Sequence, residues 1–313
     1  MEGKVLKLTT TSKAFCPAHI TCFFQIRDEA KNPLEKGSRG AGMCLDRGVI
    51  STVKVEVAEE NSVKILVEPH IEDPKVTRSA AEKMIRLANE KYSQNYAVTI
   101  MQSVEVPVYA GFGSSGAAAF STALALNDAL KLGLTKNRVG QIAHLVEIEN
   151  LTGLGDVTAQ NIGGVEIRVK EGAPGYGVVD NIPVPENYVV VCGSTGGIET
   201  KSVISHKGKR EKINEAGEKL VDELLKDATV EKMALLAKEF TASSGLATKK
   251  VEETVSELEK AGFKYCGMIM LGESVFCVTT RKYAKKAYKI IKECMPKGFV
   301  EICKIDFRGA RLL

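Results

Sequence analysis

The fold prediction depends on one stretch of sequence, Pro107-Val-Tyr-Ala-Gly111-Phe112-Gly113-Ser114-Ser115-Gly116-Ala117. A strand-like segment over 97–109 precedes it, and an apolar helix reaching to about 132 follows it. Glycines allow close backbone approach, and the unpaired N–H groups at a helix start favour an anion. The stretch therefore predicts a phosphate-binding loop. Its two serine hydroxyls are available to cap the helix, bind phosphate or ligate Mg²⁺.

Two other interpretations of this loop compete. The spacing Gly111-x-Gly113-x-x-Gly116 matches the dinucleotide-binding fingerprint, but that fingerprint needs a strand–helix–strand unit. Here Thr135-Lys136-Asn137 leads into a second helix instead. A plain capped helix after a tight turn is the structural alternative. The sequence GxxxxGK[ST] is absent, which argues against a P-loop enzyme.

A second group of polar residues lies in and after the helix predicted over about 138–150. His144 and Glu147 share a face of that helix, and Glu147 interrupts apolar residues, which is costly unless it is paired or binds a metal. Glu149 competes with it for that role. Asp156 follows in a glycine-rich turn, where it either faces a substrate hydroxyl or caps the turn. With the loop, these residues supply what phosphoryl transfer needs.

The order of predicted elements indicates an α+β fold of two domains with a cleft between them. Strands are predicted near 4–9, 20–26, 49–57 and 63–67, with a helix over 79–92. Glycines and prolines crowd 171–185, which predicts a linker, so the domains are placed at 1–182 and 183–313. In the second, a strand over 188–192, three helices, a hairpin turning at Gly272-Glu273-Ser274, a helix over 283–295 and a strand over 299–306 predict a ferredoxin-like domain with extra helices.

The composition excludes several classes of protein. The chain has 313 residues, a net charge of +4, 44% hydrophobic and 26% charged residues, which is typical of globular proteins and not of disordered, collagen-like or coiled-coil chains. The charge is too small to indicate nucleic-acid binding, and no apolar run is long enough for a membrane helix. Eight cysteines without a CxxC pair argue against a zinc site. With no signal-peptide pattern, a cytoplasmic protein with reduced thiols is expected.

These motifs resemble those of the GHMP kinase superfamily, which includes galactokinase, homoserine kinase and mevalonate kinase. The family's middle motif, P-x-x-x-G-L-G-S-S-A-A, matches the loop, and Asp156 stands seven residues before Gly163-Gly164, as in the family's carboxylate element. The resemblance implies the two-domain GHMP kinase fold, with an N-terminal ATP-binding domain. It also implies ATP and Mg²⁺ as cofactors. The nucleotide would be bound by Pro107, Gly111, Gly113, Ser114, Ser115, Gly116 and Ala117.

The resemblance also assigns catalytic roles. Asp156 would be the base, and Ser115 and Glu147 would hold Mg²⁺–ATP, with Ser114 an open alternative for the metal. The chain departs from the family at two points. His19, in the element Phe15-Cys16-Pro17-Ala18-His19-Ile20, stands where many members have Lys or Arg. The family's C-terminal glycine motif is reduced to 266–273, which leaves fewer glycines to shape the cleft near the nucleotide.

Within the superfamily, three segments resemble archaeal pantoate kinases: 14–21, the predicted loop 37–42, and 143–147 leading to 155–157. The implied reaction is phosphorylation of the 4-hydroxyl of pantoate in coenzyme A synthesis. The residues that would surround pantoate are Ser38, Arg39, His144, Arg168 and His19. A surface ion pair with Glu166 is the alternative for Arg168. Another acceptor, such as homoserine or mevalonate, and a non-catalytic ligand-binding member of the fold are the alternative functions. A homodimer is expected, with neither nucleic acid nor membrane as partner.

Overall fold

Two long antiparallel strands, β1 (Thr10–Arg27) and β2 (Gly37–Ala58), form the centre of the first sheet. The computed structural model describes residues 9–197 and 206–313, so the strand expected at 4–9 lies almost wholly outside the described residues. The sheet order is β11-β1-β2-β4-β3, and β5 pairs with both β2 and β6. The remaining bounds are β3 Ser62–Glu68, β4 Asn95–Val104, β5 Val165–Lys170, β6 Val178–Ile182 and β11 Arg311–Leu312.

The helices of the first half pack on this sheet. They are α1 (Lys75–Tyr92), α2 (Ser114–Ala129), α3 (Lys136–Asn150) and α4 (Asp156–Ile162). Helix α2 is buried over most of its surface, because its alanines let β1, β2, α1 and α3 approach it closely. Its interior Ser121 hydroxyl hydrogen-bonds with Ser51 of β2 at 2.8 Å. The N-terminus of α2 is thereby fixed above the centre of the sheet.

The second sheet has the order β10-β7-β9-β8, which confirms the ferredoxin-like arrangement. Its strands are β7 Tyr188–Gly197, β8 Cys266–Ile269, β9 Gly272–Thr280 and β10 Phe299–Lys304. Helices α5 (Lys207–Gly217), α6 (Leu220–Lys226), α7 (Val230–Ser244) and α8 (Lys249–Lys260) lie between β7 and β8 in the chain, and α9 (Arg281–Cys294) follows β9. None of the helices that the structure describes is long and apolar enough to span a membrane.

Four local predictions were wrong in detail. The strand expected over 97–109 ends at Val104, and residues 105–113 form a loop that contains Pro107. The expected linker over 171–185 contains β6, which pairs with β5. The segment 37–42 is not a loop but the start of β2. The β8–β9 hairpin turns at Met270-Leu271, with Leu271 at φ 68°, and not at 272–274.

Candidate active site

A cavity of about 280 Å³ opens at the N-terminus of α2. Its walls come from the glycine loop, the start of α1, strands β1 and β4, the segment 150–156 and the turn between β8 and β9. The first sheet and its helices therefore supply most of the cavity, and Met270 and Leu271 bring the second sheet to its edge. The prediction of a cleft at the glycine loop is consistent with this arrangement.

The glycine loop enters α2 through three residues with positive φ, which are Tyr109 at 61°, Gly111 at 83° and Gly113 at 57°. Gly113 is the N-cap residue and, within the described chain, no side chain caps the first turn. The backbone N–H groups of Ser114 and Ser115 thus stay available at the positive end of the helix, beside the cavity. This geometry favours the phosphate-binding interpretation over a capped helix start.

The second sheet holds the glycine loop in place. Ser274 donates a hydrogen bond to the Ala110 carbonyl at 2.9 Å. A Cβ at Gly272 would overlap the Ala110 carbonyl, and one at Gly197 would overlap the Tyr109 carbonyl. Although it has few glycines, the C-terminal motif of 266–273 therefore keeps close backbone contact with the glycine loop through Gly272.

Gly111→Ala is expected to weaken nucleotide binding and to lower the free energy of unfolding by about 1–3 kcal/mol. An alanine at φ 83° is strained, and its Cβ would overlap the Met270 carbonyl. Calorimetric titration with an ATP analogue and chemical denaturation measure the two effects. Gly133→Ala is the matched control, because Gly133 also has a positive φ (73°) but no atom lies within 4 Å of its added Cβ. It should lose stability without losing nucleotide affinity.

Glu147 is a buried carboxylate that contacts the first turn of α2. It is 2% exposed and accepts hydrogen bonds from Thr152 Oγ1 at 2.6 Å and Ser115 Oγ at 3.2 Å. Burial raises the pKa of Glu147 to about 7, against the lowering effect of the Thr152 and Ser115 hydroxyls. Glu149 has an exposed side chain that pairs with Lys83. The geometry therefore favours Glu147 and Ser115 over Glu149 and Ser114 as a cation site.

The residues around Glu147 suit an Mg²⁺ ion that is bound by protein side chains and by phosphate oxygens together. The described chain holds no cluster of three or more His, Cys, Asp or Glu side chains that could bind a metal alone. Mg²⁺ usually takes one or two carboxylates together with substrate phosphates and water. A buried carboxylate with only hydroxyl partners, next to a helix N-terminus, matches that mode of binding.

Asp156, the first residue of α4, faces the same cavity with 22% of its side chain exposed. Its Oδ1 atom lies 2.7 Å from His19 Nδ1. Burial would raise the pKa of Asp156, but the hydrogen bond and charge of His19, together with Arg168, outweigh burial and lower it. A Cβ at Gly113 would lie 3.1 Å from Asp156 Oδ1. The carboxylate therefore lies directly against the glycine loop.

His19 connects Asp156 to two buried residues of β5. His19 Nε2 lies 2.9 Å from Glu166 Oε1, and Arg168 donates to the same Glu166 oxygen at 2.5 Å. Arg168 is 2% exposed and Glu166 is fully buried. The alternative that Arg168 belongs to a surface ion pair is therefore wrong, because the pair with Glu166 is internal.

The other three residues predicted to bind the substrate, Ser38, Arg39 and His144, do not lie together. Ser38 lines the cavity. Arg39 instead pairs with Asp222 of α6 at 2.6 Å. The buried ring of His144 hydrogen-bonds with the backbone at Pro33 and Lys36, and burial lowers its pKa to about 4. Its Nε2 atom has no partner among the described residues. The roles of these residues at a substrate stay predictions.

Sequence reasoning missed three residues of this region. Glu166 alternates with Arg168 on a short apolar strand, so only that spacing could have suggested a buried pair. Thr152 stands in the glycine-rich turn before Asp156 and donates a hydrogen bond to Glu147. Gln160 donates to the Gly113 carbonyl at 2.8 Å, and a Cβ at Gly116 would lie 2.9 Å from its Oε1. This contact explains the glycine at 116, where the family motif has alanine.

Comparison with known proteins identifies the family. Residues 77–164 match the family model of the GHMP kinases N terminal domain. The pantoate kinase of Thermococcus kodakarensis is 35% identical over 93% of this chain and 95% of its own length, and that of Methanocaldococcus jannaschii is 35% identical over 89% and 96%. A solved structure of a phosphotransferase related to the CoA biosynthesis pathway superposes with a TM-score of 0.86 at 31% identity, covering 97% of this chain and 98% of that one. With its fold, its glycine loop and these relatives, the chain belongs to the GHMP kinase family, among the relatives of the archaeal pantoate kinases.

Proposed function

We propose that this protein transfers the γ-phosphoryl group of ATP to the 4-hydroxyl of pantoate, a step of coenzyme A biosynthesis. The observation that carries the proposal is the position of Asp156. It faces the cavity between the glycine loop and the Ser115–Glu147 pair, in a chain similar over nearly its whole length to two pantoate kinases.

The cavity has separate regions suited to the base and to the phosphates of ATP. Its outer wall contains apolar side chains that can cover a nucleotide base, namely Ile71, Val76, Val104 and Val108. The phosphates would lie over the start of α2, where the N–H groups of Ser114 and Ser115 donate to them. Ser115 and Glu147 would hold Mg²⁺, which when bound neutralises charge that develops on the phosphates.

Asp156 would orient the acceptor hydroxyl and take its proton. The hydroxyl oxygen forms a bond to the γ-phosphorus as the bond to the β-phosphate oxygen breaks, and ADP leaves. Because the transition state is loose, positioning and electrostatic stabilisation carry most of the rate, and a weakly basic carboxylate is sufficient. No covalent enzyme intermediate is required.

A panel of acceptors tests the proposal. Pantoate, homoserine and mevalonate would each be supplied with ATP and Mg²⁺, and ADP release would be followed. Release with pantoate, with ³¹P NMR placing the phosphate on the 4-oxygen, is the expected result. ADP release only with another acceptor would make that acceptor, and not pantoate, the substrate. The absence of acceptor-stimulated ADP release would favour a ligand-binding member of the fold.

The proposal includes a cytoplasmic homodimer, for which light scattering gives the mass. We also propose that the boundary between the two domains lies between residues 182 and 183. The terminal strand β11 nevertheless pairs with β1 of the first sheet, so the end of the chain returns to the ATP-binding half.

A further inference from the structure

Four charged side chains form a continuous network behind the cavity, in the order Asp156, His19, Glu166 and Arg168. We call it the histidine bridge. Both ring nitrogens of His19 lie within hydrogen-bond distance of carboxylate oxygens, at 2.7 Å from Asp156 and 2.9 Å from Glu166. An ionised carboxylate only accepts hydrogen bonds, and a neutral imidazole has only one N–H. With both carboxylates ionised, His19 must therefore carry a proton on each nitrogen.

When both carboxylates are ionised, the charges of the histidine bridge balance only if His19 is protonated. Two carboxylates face one imidazolium and one guanidinium, so the four groups are neutral together. A neutral His19 would leave one uncompensated negative charge in a buried region, which is strongly unfavourable. Glu166 Oε1 contacts both Arg168 and His19, so the guanidinium and the imidazole face the same carboxylate oxygen. The hydrogen bonds and charges of both carboxylates outweigh burial and raise the pKa of His19.

Strand β2 has glycine at two positions that lie against the histidine bridge, and the absence of side chains there leaves room for the charged groups. Gly42 lies opposite Glu166 in the β2–β5 register, and Gly40 lies opposite Arg168. A Cβ at Gly42 would lie 2.5 Å from His19 Nε2, and one at Gly40 would lie 2.8 Å from an Arg168 terminal nitrogen. This is a physical reason for the glycines within this strand.

The groups that face His19 come from several packed elements. Arg168 Nη1 lies 3.3 Å from His19 Nε2, but Glu166 Oε1 is closer to both cations, at 2.5 Å from Arg168 and 2.9 Å from His19, so this carboxylate compensates the two positive charges. Asp156 comes from α4, and Glu166 and Arg168 come from β5. On β1 and β2 the nearby titratable groups are the thiols of Cys22 and Cys44, the latter opposite His19 in register. Burial raises the pKa of both thiols above the ordinary value, so they stay neutral and leave the balance unchanged.

We propose that Glu166 is a positioning residue that keeps His19 a permanent cation, and that His19 thereby holds Asp156 ionised and aimed at the acceptor hydroxyl. This inference rests on the proposed function, because it gives Asp156 the role of base. In this chain a histidine and a buried glutamate together replace the lysine or arginine that many family members carry at position 19. The second carboxylate is required since histidine, unlike lysine, is not charged at neutral pH on its own.

Glu166→Gln tests the inference, because glutamine keeps the shape and one acceptor but removes the charge. His19 should become neutral near pH 8, and Asp156, without its cation, should hold its proton more tightly. At saturating Mg²⁺, which keeps Glu147 ionised, the acid limb of the kcat/KM profile should move upward by about 1–3 pH units, while the KM for ATP stays within about twofold. The double variant H19K/E166Q should return the acid limb towards the wild-type position, since lysine is a cation without Glu166.

Asp306→Asn is the matched control. Asp306 is a buried carboxylate paired with Arg311 at 2.8 Å, and it does not line the cavity. This variant should lower the melting temperature and leave the acid limb in place. A Glu166→Gln enzyme that melts lower but keeps the wild-type acid limb would reduce Glu166 to a structural residue and overturn the inference.

An NMR measurement separates this inference from the proposed function, because it needs no acceptor. The chain has four histidines, so ¹⁵N spectra of the wild type and of His19→Gln identify the His19 ring. Two N–H protons on His19 at pH 8 are expected in the wild type, and one in Glu166→Gln. A singly protonated wild-type ring would overturn the inference even in an active pantoate kinase. A doubly protonated ring in a protein inactive on pantoate would uphold the charge state and refute only the acceptor.

Discussion

Asp156→Asn is expected to lower kcat by about 10²–10⁴-fold, the range that a positioned base contributes, with little change in ATP affinity. The asparagine oxygen can still accept the hydrogen bond from His19 Nδ1, so the side chain should keep its place against Gly113. What is lost is the negative charge and the site that takes the proton. Single-turnover kinetics with pantoate give the rate, and calorimetry with a non-hydrolysable ATP analogue gives the affinity.

Asp128→Asn is the control for this experiment. Asp128 lies near the other end of α2 and pairs with Lys131 at the surface, so its loss should leave kcat unchanged. Near-native kcat in Asp156→Asn would remove Asp156 from the role of base. A large loss of ATP affinity would instead show that the variant disturbs the glycine loop.

Local sequence was sufficient to single out the glycine loop and Glu147, which contact each other in the structure through Ser115. The glycines and serines of 111–116 form the connection between a strand and a helix. The backbone conformation of such a short connection depends mainly on residues that are adjacent in the sequence. Glu147 was identifiable because a carboxylate on an apolar helix face requires a partner. The choice between Glu147 and Glu149 was open because both precede the same turn. It depends on which face of α3 is covered, and that is a property of the tertiary fold.

The histidine bridge could not be predicted from the sequence, because its members are far apart in the chain. His19 and Glu166 meet only through the pairing of β2 with both β1 and β5. The glycines of 37–42 suggested a loop, since glycine usually weakens a strand. In the structure they make room for charged side chains that come from the adjacent strands.

The β8–β9 turn shows the limits of turn propensity. Leu271 adopts φ 68°, which β-branched and bulky residues rarely do, while Gly272 next to it pairs in the sheet with Gly197. The close approach of Gly272 to the Ala110 carbonyl requires glycine at that position, and the turn begins two residues earlier, at Met270. Packing against the glycine loop therefore overrides the local preference for a turn at glycine.

Glu147→Gln is expected to lower kcat by at least about 100-fold at saturating ATP, because it removes the carboxylate that we propose holds Mg²⁺ and, with it, several kcal/mol of charge stabilisation. The Mg²⁺ concentration that gives half-maximal rate should rise. Glu149→Gln is the matched control two residues away, since Glu149 has an exposed side chain that pairs with Lys83. It should keep the wild-type response to Mg²⁺. The reverse result would transfer the metal site to Glu149.

The same Glu147→Gln substitution should stabilise the metal-free fold at pH 8. The pKa of Glu147 rises from its ordinary 4.5 to about 7 on folding, so the folded state binds the proton more tightly than the unfolded chain. Stability is therefore lost as pH rises between these two values, and the loss is complete above about 7. Glutamine removes that penalty, giving a gain of up to about 3 kcal/mol at pH 8 and none near pH 4. Urea unfolding in EDTA at the two pH values measures it. An equal change in the free energy of unfolding at pH 4 and at pH 8 would mean that the buried charge of Glu147 is already compensated without a metal. A gain confined to high pH, together with the loss of activity, would mean that the site gives up stability to keep a carboxylate ready for its cation.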